Sequence, residues 1–371
     1  MAPYAHITGW GMAVPVQAIT NEELSQRIDT SDEWIVSRTG IRQRYIAASE
    51  QTTASLAVEA ALQALEVARL SPADLELIIV STSSPEHIFP ATACLVQDRL
   101  GAGRAGAFDL LAACSGFIFA LNMATQAIRT GAVKNALVIG AETLSRLVDW
   151  TDRNTCILFG DGAGAFVLQS APERGGVISS MMGSDGSGGD LLILPAGGSA
   201  LPASQATIDQ GKHFVQMNGR EVFRFASRVM VQATEEVLRK AQLTIEDVNL
   251  VIPHQANQRI IDAALRGLNL PAERCMINVE RYGNTSTASI PIATCEAIKQ
   301  GRLKAGDRVV FVGFGAGLTW GACLAVWSGP FPGVRRPLPL RFRVYARIRS
   351  MIKRTLRRVD AWIYGRTQGG V

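Results

Sequence analysis

The sequence predicts an α/β protein built from two duplicated halves whose helices stack between two sheets. The first support is internal similarity at a nearly constant offset. RLSPADLELIIV at 69–80 resembles QLTIEDVNLVIP at 242–253, 173 positions on, and ALVIG at 136–140 resembles VVFVG at 309–313, again 173 on. AIRTG at 127–131 resembles AIKQG at 297–301, 170 positions on. Three collinear matches mark a repeated unit. The second support is the grain of each unit: helix, short turn with an acidic residue, apolar strand, loop, long helix, glycine turn, apolar strand. Runs such as LIIV at 77–80 are apolar throughout instead of alternating, which predicts a mainly parallel sheet covered on both faces. The third is size, since 371 residues that are 47% hydrophobic fill two fused cores of about 150–170 residues each.

Residues 1–171 read as the first half, 172–328 as the second, and 329–371 as a tail outside both. The opening MAPYAHITGWGMAVP has no basic stretch ahead of an apolar one, so no signal peptide is expected. The longest apolar runs are strand-sized and too short to span a bilayer. The six cysteines, at 94, 114, 156, 275, 295 and 323, form no CxxC and no Cys/His cluster of zinc spacing. No metal is expected, and scattered thiols point to a reducing cytoplasm. The net charge of +5 is unevenly spread: 330–371 hold eleven Arg or Lys against the single acid Asp360, a tail near +10 on a body near −5.

Cys114 follows the strand-like AFDLLAA and begins the helix SGFIFALNMATQAIRTG. A thiol at a helix N-terminus sits at the positive end of the macrodipole, which lowers its pKa and favours thiolate. Ala112, Ala113, Ser115 and Gly116 leave room beside it for a substrate carbonyl. On these residues alone, a buried structural cysteine remains the commoner alternative. Adding 170 to Cys114 reaches Asn284, which should open the matching helix, while His254 follows the strand LVIP and answers Ser81 at an offset of 173. In facing halves these three converge at the carboxyl ends of strands, where α/β proteins bind ligands. His254 also reads as an ordinary hydrogen-bonding residue, and Asn284 as a helix cap. GFGAG at 313–317 has neither GxGxxG spacing nor a following GKS or GKT, so a nucleotide loop is poorly supported; GDGAGA at 160–165 reads as close strand packing.

DLLAACSGF (109–117), IPHQANQRI (252–260), YGNTSTASIP (282–291) and GFGAGLTWGA (313–322) resemble signatures of the β-ketoacyl-[acyl-carrier-protein] synthase III family, the initiating ketosynthases of bacterial fatty-acid synthesis in the thiolase superfamily. SDEWIVSRTGIRQR (31–44) and TDRNTCILFGDGAGA (151–165) resemble it too, and the likeness runs from about residue 5 to 327. It implies a thiolase-like five-layer αβαβα sandwich. It implies an acyltransferase that condenses an acyl-CoA primer with malonyl-acyl carrier protein, with loss of CO2, through a thioester on Cys114. His254 and Asn284 would hold the extender's thioester oxygen, and the amides of Cys114 and Ala316 would form an oxyanion hole. Trp34 and Arg153 would sandwich adenine, with Arg38 near phosphate and Thr30, Gly219 and Asn257 along the pantetheine. Arg259 would meet the carrier protein, and Phe89 would close the acyl pocket of a dimer partner. The likeness thus implies a cytoplasmic homodimer with no cofactor beyond its substrates. A degradative thiolase is disfavoured, because Phe314-Gly315-Ala316 stands where it needs a second cysteine. A related acyltransferase, or a starter enzyme of polyketide assembly, stays open.

The tail lies outside the resemblance. GPFPGVRRPLPL at 329–340 has four prolines and reads as a semi-rigid spacer. Beyond it Tyr345, Ile348, Ile352, Leu356, Val359 and Ile363 recur at helical steps, with Trp362 at the edge of their arc. Arg343, Arg347, Lys353, Arg354, Arg357 and Arg358 lie opposite. That pattern fits a helix lying in an anionic membrane interface. Packing on the body and binding the carrier protein are the competing expectations, and no nucleic-acid partner is expected.

Overall fold

The computed structural model describes residues 2–331, 348–353 and 355–360. The principal strands of the first sheet are β1 (Tyr4–Ala13), β2 (Leu77–Ser81), β3 (Gly106–Leu110), β4 (Asn135–Glu142) and β5 (Gly162–Ala171), in the spatial order β1-β5-β4-β2-β3. Those of the second are β6 (Gly176–Ser184), β7 (Leu250–Pro253), β8 (Arg308–Gly315) and β9 (Thr319–Val326), in the order β7-β8-β9-β6. The principal helices are α1 (Asp32–Thr39), α2 (Thr53–Ala68), α3 (Thr92–Leu100), α4 (Gly116–Arg129), α5 (Gly219–Ala241), α6 (Gln258–Gly267) and α7 (Ser289–Lys299). One apolar cluster joins α2 and α3 to the outer face of the first sheet, and another joins α5 and α6 to the outer face of the second. A third places α4 and α7 between the sheets. The result is the five-layer αβαβα sandwich.

The sheets are mixed rather than mainly parallel. β2 runs parallel to β3 and β4, and β7 to β8, whereas β1, β5, β6 and β9 pair antiparallel. β8 returns into β9 through residues 316–318 alone, and so short a link joins only antiparallel neighbours. The strands read as unbroken apolar runs because helices cover both faces, whichever way the strands point.

β2 and β7, β4 and β8, and α4 and α7 each begin 173 positions apart. The local offset of 170 does not hold at the helix start. α4 has 14 residues and α7 has 11, so the missing three fall within the helix and not before it. The counterpart of Cys114 is therefore Thr287, and Asn284 lies three residues ahead of that position instead of opening α7.

Aromatic packing ties the middle layer to both sheets. Phe117 of α4 meets Phe166 of β5 at 5.1 Å between ring centroids, and Phe166 meets Phe311 of β8 at 5.8 Å. Fully burying each such side chain stabilises by about 1.5–3 kcal/mol. On the outer face α2 approaches β1 through Ala60 and Ala64, where a Cβ on Gly9 or Gly11 would overlap the helix backbone.

Residues 348–353 and 355–360 of the tail are helical. Arg349 Nη1 donates to Gly101 O at 3.0 Å and Ser350 Oγ to Asp98 Oδ2 at 2.7 Å, both at the C-terminal end of α3. Ile348, Ile352, Leu356 and Val359 are exposed, so this part of the apolar stripe does not pack on the body. The spacer from 332 to 340, and the expectations for Arg343, Tyr345, Arg347, Arg354, Trp362 and Ile363, lie outside the described residues.

Candidate active site

Cys114 stands on a 3₁₀ turn, Ala113–Ser115, between β3 and α4. Ala113 has φ 45°, a left-handed conformation that costs a residue with a Cβ about 1–2 kcal/mol. Ser286, 173 positions on, has φ 49° on the turn before α7. The two halves thus use the same strained reversal at equivalent positions.

His254 follows β7 and is buried. Its Nδ1 lies 2.7 Å from Ser289 Oγ, which also accepts from the Gln255 amide at 3.4 Å. The Ser289 hydroxyl is free to donate to Nδ1, and in that arrangement the imidazole proton stands on Nε2. Nε2 is buried and has no partner among the described residues. A buried donor without an acceptor costs about 1–3 kcal/mol, which a ligand oxygen would recover. Asn284 is fixed from both sides. Its amide N donates to Leu158 O at 2.8 Å, its O accepts from Gly160 N at 3.0 Å, and its Oδ1 accepts from Ser286 N at 2.8 Å. With Oδ1 engaged, Nδ2 remains to donate into the cavity.

The expected lowering of the Cys114 pKa is not what the fold gives. Burial pushes the thiol up to about 12; a hydrogen bond to Ser286 opposes this, and the nearby charge of Glu142 adds to it. The helix dipole acts on a group only 8% exposed, and desolvation outweighs it. Burial likewise pushes the His254 imidazole down to about 3. Glu142, at the end of β4, is fully buried, and burial raises its pKa. It accepts from Ser84 Oγ at 2.6 Å and from Thr287 Oγ1 at 3.1 Å, tying the strand ends of one half to the turn of the other. Glu142, Ser286 and Ser289 escaped the sequence reading. Only Ser286 and Ser289 had a signal, their place in the YGNTSTASIP segment.

Cys114, His254 and Asn284 line one cavity of about 800 Å³, together with Trp34, Arg38, Gly219, Asn257 and Arg259. The Arg38 guanidinium lies 4.5 Å from the Trp34 ring centroid and that of Arg153 lies 5.2 Å away. Arg153 also pairs with Asp29 at 3.1 Å and is not in the cavity wall. A base between Arg153 and Trp34 needs about 7 Å, two contact distances, so Arg153 must swing out to admit one. Asn257 caps α6, accepting from Arg259 N at 2.9 Å and donating to Arg38 O at 3.0 Å. Thr30 stands off the wall, its buried hydroxyl without a partner among the described residues. The wall ends at Phe314 and Gly315, and a Cβ on Gly315 would lie 2.6 Å from Cys114 N. Ala316 follows, its carbonyl accepting from Thr319 Oγ1 at 2.9 Å. Phe89 is on the surface and 85% exposed, away from this cavity within one chain.

Known proteins share this plan. Residues 108–186 match the family described as 3-Oxoacyl-[acyl-carrier-protein (ACP)] synthase III, and residues 238–327 match its C-terminal part. A β-ketoacyl-[acyl-carrier-protein] synthase III of Desulfitobacterium hafniense is 54% identical over 322 residues, 87% of this chain and 97% of that protein. The chain belongs to the β-ketoacyl-[acyl-carrier-protein] synthase III family. It is therefore an acyltransferase of the thiolase fold. The crystal structure of the synthase III from Aquifex aeolicus is 48% identical with a TM-score of 0.80, over 87% of this chain and 99% of that one. The priming β-ketosynthase of the R1128 polyketide pathway is 34% identical with a TM-score of 0.82, over 89% of this chain and 98% of that one.

Proposed function

We propose that this synthase III condenses an acyl-CoA primer with malonyl-acyl carrier protein to give a β-ketoacyl-acyl carrier protein, CoA and CO2. The observation that carries the reading is the meeting of Cys114, the unpartnered Nε2 of His254 and the free amide of Asn284 in one cavity. Cys114 Sγ attacks the primer's thioester carbonyl, and the CoA thiol departs with the cysteine proton. Donors at Cys114 N and the Ala316 amide would hold the oxyanion; the close approach of Gly315 to Cys114 N supports this. The malonyl C–C bond then breaks, CO2 leaves, and its electron pair forms an enolate on the thioester oxygen. His254 Nε2 and Asn284 Nδ2 stabilise that oxygen. The carbanion attacks the acyl group, the C–S bond to Cys114 breaks, and the thiolate takes a proton from solvent.

The cavity wall includes Arg38, Arg220, Arg224 and Arg259 against a single acid, Asp152, which suits CoA phosphates and an acidic carrier. Trp34, Arg38 and Arg153 would grip the nucleotide, Thr30, Gly219 and Asn257 the pantetheine arm, and Arg259 the carrier. The same reading makes the enzyme a cytoplasmic homodimer, with Phe89 of each subunit closing its partner's acyl pocket. Its basic tail would make peripheral contact with a membrane. Metal and cofactor have no part in it. The 34% likeness to a polyketide priming ketosynthase keeps that role as the second reading. The test is a panel of acyl-CoAs with malonyl-acyl carrier protein, read by product mass and intact protein mass. An acyl adduct that disappears in Cys114→Ala, and a β-ketoacyl product, are expected; an adduct surviving in Cys114→Ala overturns the reading.

A further inference from the structure

The residues that this chemistry leaves unused lie past 327, where the family's C-terminal match ends. A relative matched over 97% of its own length occupies only 87% of this chain. In the described tail helix, Ile348, Met351, Ile352, Leu356 and Val359 fall within one arc of about 140° at 100° per residue. All five are exposed, by 44–68%. Ser350 lies opposite and Arg349 just past the edge of the stripe beyond Leu356; these two are the only partly covered residues of the described helix, through their hydrogen bonds to Asp98 and Gly101. Gly103 makes room for this docking, since a Cβ there would overlap the Arg349 guanidinium. The helix is thus mounted the wrong way round for a globular protein: its polar side faces the enzyme and its apolar side faces out.

We propose that the helical residues 348–353 and 355–360 hold the enzyme on an anionic lipid surface, fastened to α3 through Arg349 and Ser350 with the Ile348–Val359 stripe set into the acyl-chain boundary. This rests on the peripheral contact proposed above and fixes which face makes it. Charge selects the occupant. Residues 330–371 carry eleven bases and one acid, so pairing two such helices stripe to stripe would bring like charges together, whereas anionic headgroups neutralise them. Lys353, Arg357 and Arg358 are all exposed on the described helix. Among the described residues no helix is long and apolar enough to cross a membrane, so the helix would lie on the bilayer instead of spanning it.

The experiment is co-sedimentation of the full chain with phosphatidylglycerol or phosphatidylcholine vesicles. Wild type is expected to pellet with phosphatidylglycerol at low salt, to be released by raised salt, and to ignore phosphatidylcholine. Arg357→Gln/Arg358→Gln should weaken binding roughly thirtyfold, from about fivefold per charge. Ile352→Asp/Leu356→Asp should abolish it while leaving turnover with soluble substrates unchanged. Wild type that stays in the supernatant with phosphatidylglycerol at low salt overturns the membrane contact itself. Wild-type binding by Ile352→Asp/Leu356→Asp leaves the contact standing and overturns this face as its agent. If that variant instead dissolves an oligomer seen by light scattering, with vesicle binding intact, the stripe belongs to a second copy and the proposal fails.

Discussion

Cys114 and His254 are both held neutral by burial, which pushes the thiol up to about 12 and the imidazole down to about 3. A thiol with a raised pKa has a vanishing thiolate fraction at neutral pH, and that fraction grows about tenfold per pH unit until the pKa is reached. Alkylation of resting Cys114 by iodoacetamide should therefore climb through pH 7–10 without levelling. A plateau below pH 9 would show a thiolate stabilised in the way the helix start alone suggests. The imidazole, with its pKa pushed down, stays neutral above about pH 5, so decarboxylation should not follow a histidine titration between pH 5 and 8. His254→Ala and Asn284→Ala are expected to cost malonyl decarboxylation roughly 100–1000-fold, the usual loss for one oxyanion donor, and self-acylation from acyl-CoA far less. Equal losses in the two half-reactions would refute the division of labour. Cys114 and His254 were legible because each follows an apolar strand of the repeat, β3 and β7, whereas Asn284 follows the helix Val279–Tyr282 and was legible only from the family-like segment YGNTSTASIP. Their ionisation was not, because burial outweighs the dipole and is a property of the assembled sandwich.

Among the elements, the hairpin β8–β9 matters most, because it carries the backbone that presses on Cys114, the proposed nucleophile. Gly315 is the last residue of β8, and a Cβ there would meet Cys114 N at 2.6 Å and Ala113 Cβ at 3.1 Å. Neither neighbour can move freely, since Ala113 already sits in the left-handed reversal that presents Cys114. Gly315→Ala should lower self-acylation at least about tenfold, as misplacing one oxyanion donor does, with far-UV circular dichroism unchanged. Full acylation rates in that variant would show that the approach is incidental. The repeated core of each half, a helix, a strand, a long helix and a second strand, was readable from apolar runs and glycine turns, whereas β1, β6 and β9 lie outside that repeated pattern and were not. Strand direction was not, because an unbroken apolar run reports burial on two faces and nothing of its neighbours' polarity. The 170 offset misled for a related reason: α7 is three residues shorter than α4, and a match at the far end of a helix says nothing about where the helix begins. The tail helix was legible as amphipathic, but its inverted mounting depends on contacts at Asp98 and Gly101 that no periodicity announces.

For the molecule as a whole, the first sheet ends in β3, an edge strand with no strand on its outer side among the described residues, where Cys94 Sγ meets Ala107 O at 3.6 Å. Around it Ile88, Phe89, Phe108 and Leu111 are exposed by 41–85%, an apolar patch that a monomer would leave in water. A second copy related by a two-fold axis would pair the two β3 edges antiparallel and cover the patch on both sides at once. That arrangement also explains why Phe89 lies away from its own chain's cavity, since in a dimer it would serve the partner's. Phe108→Arg/Leu111→Arg should therefore shift the protein from dimer to monomer in sedimentation velocity. It should also depress condensation, although neither residue lines the cavity. Phe89→Ala should keep the dimer and change the preference among acyl-CoA primers toward longer chains. A monomeric wild type would refute the pairing. A dimeric Phe89→Ala with an unchanged primer preference would remove Phe89 from the acyl pocket and leave the edge pairing untouched.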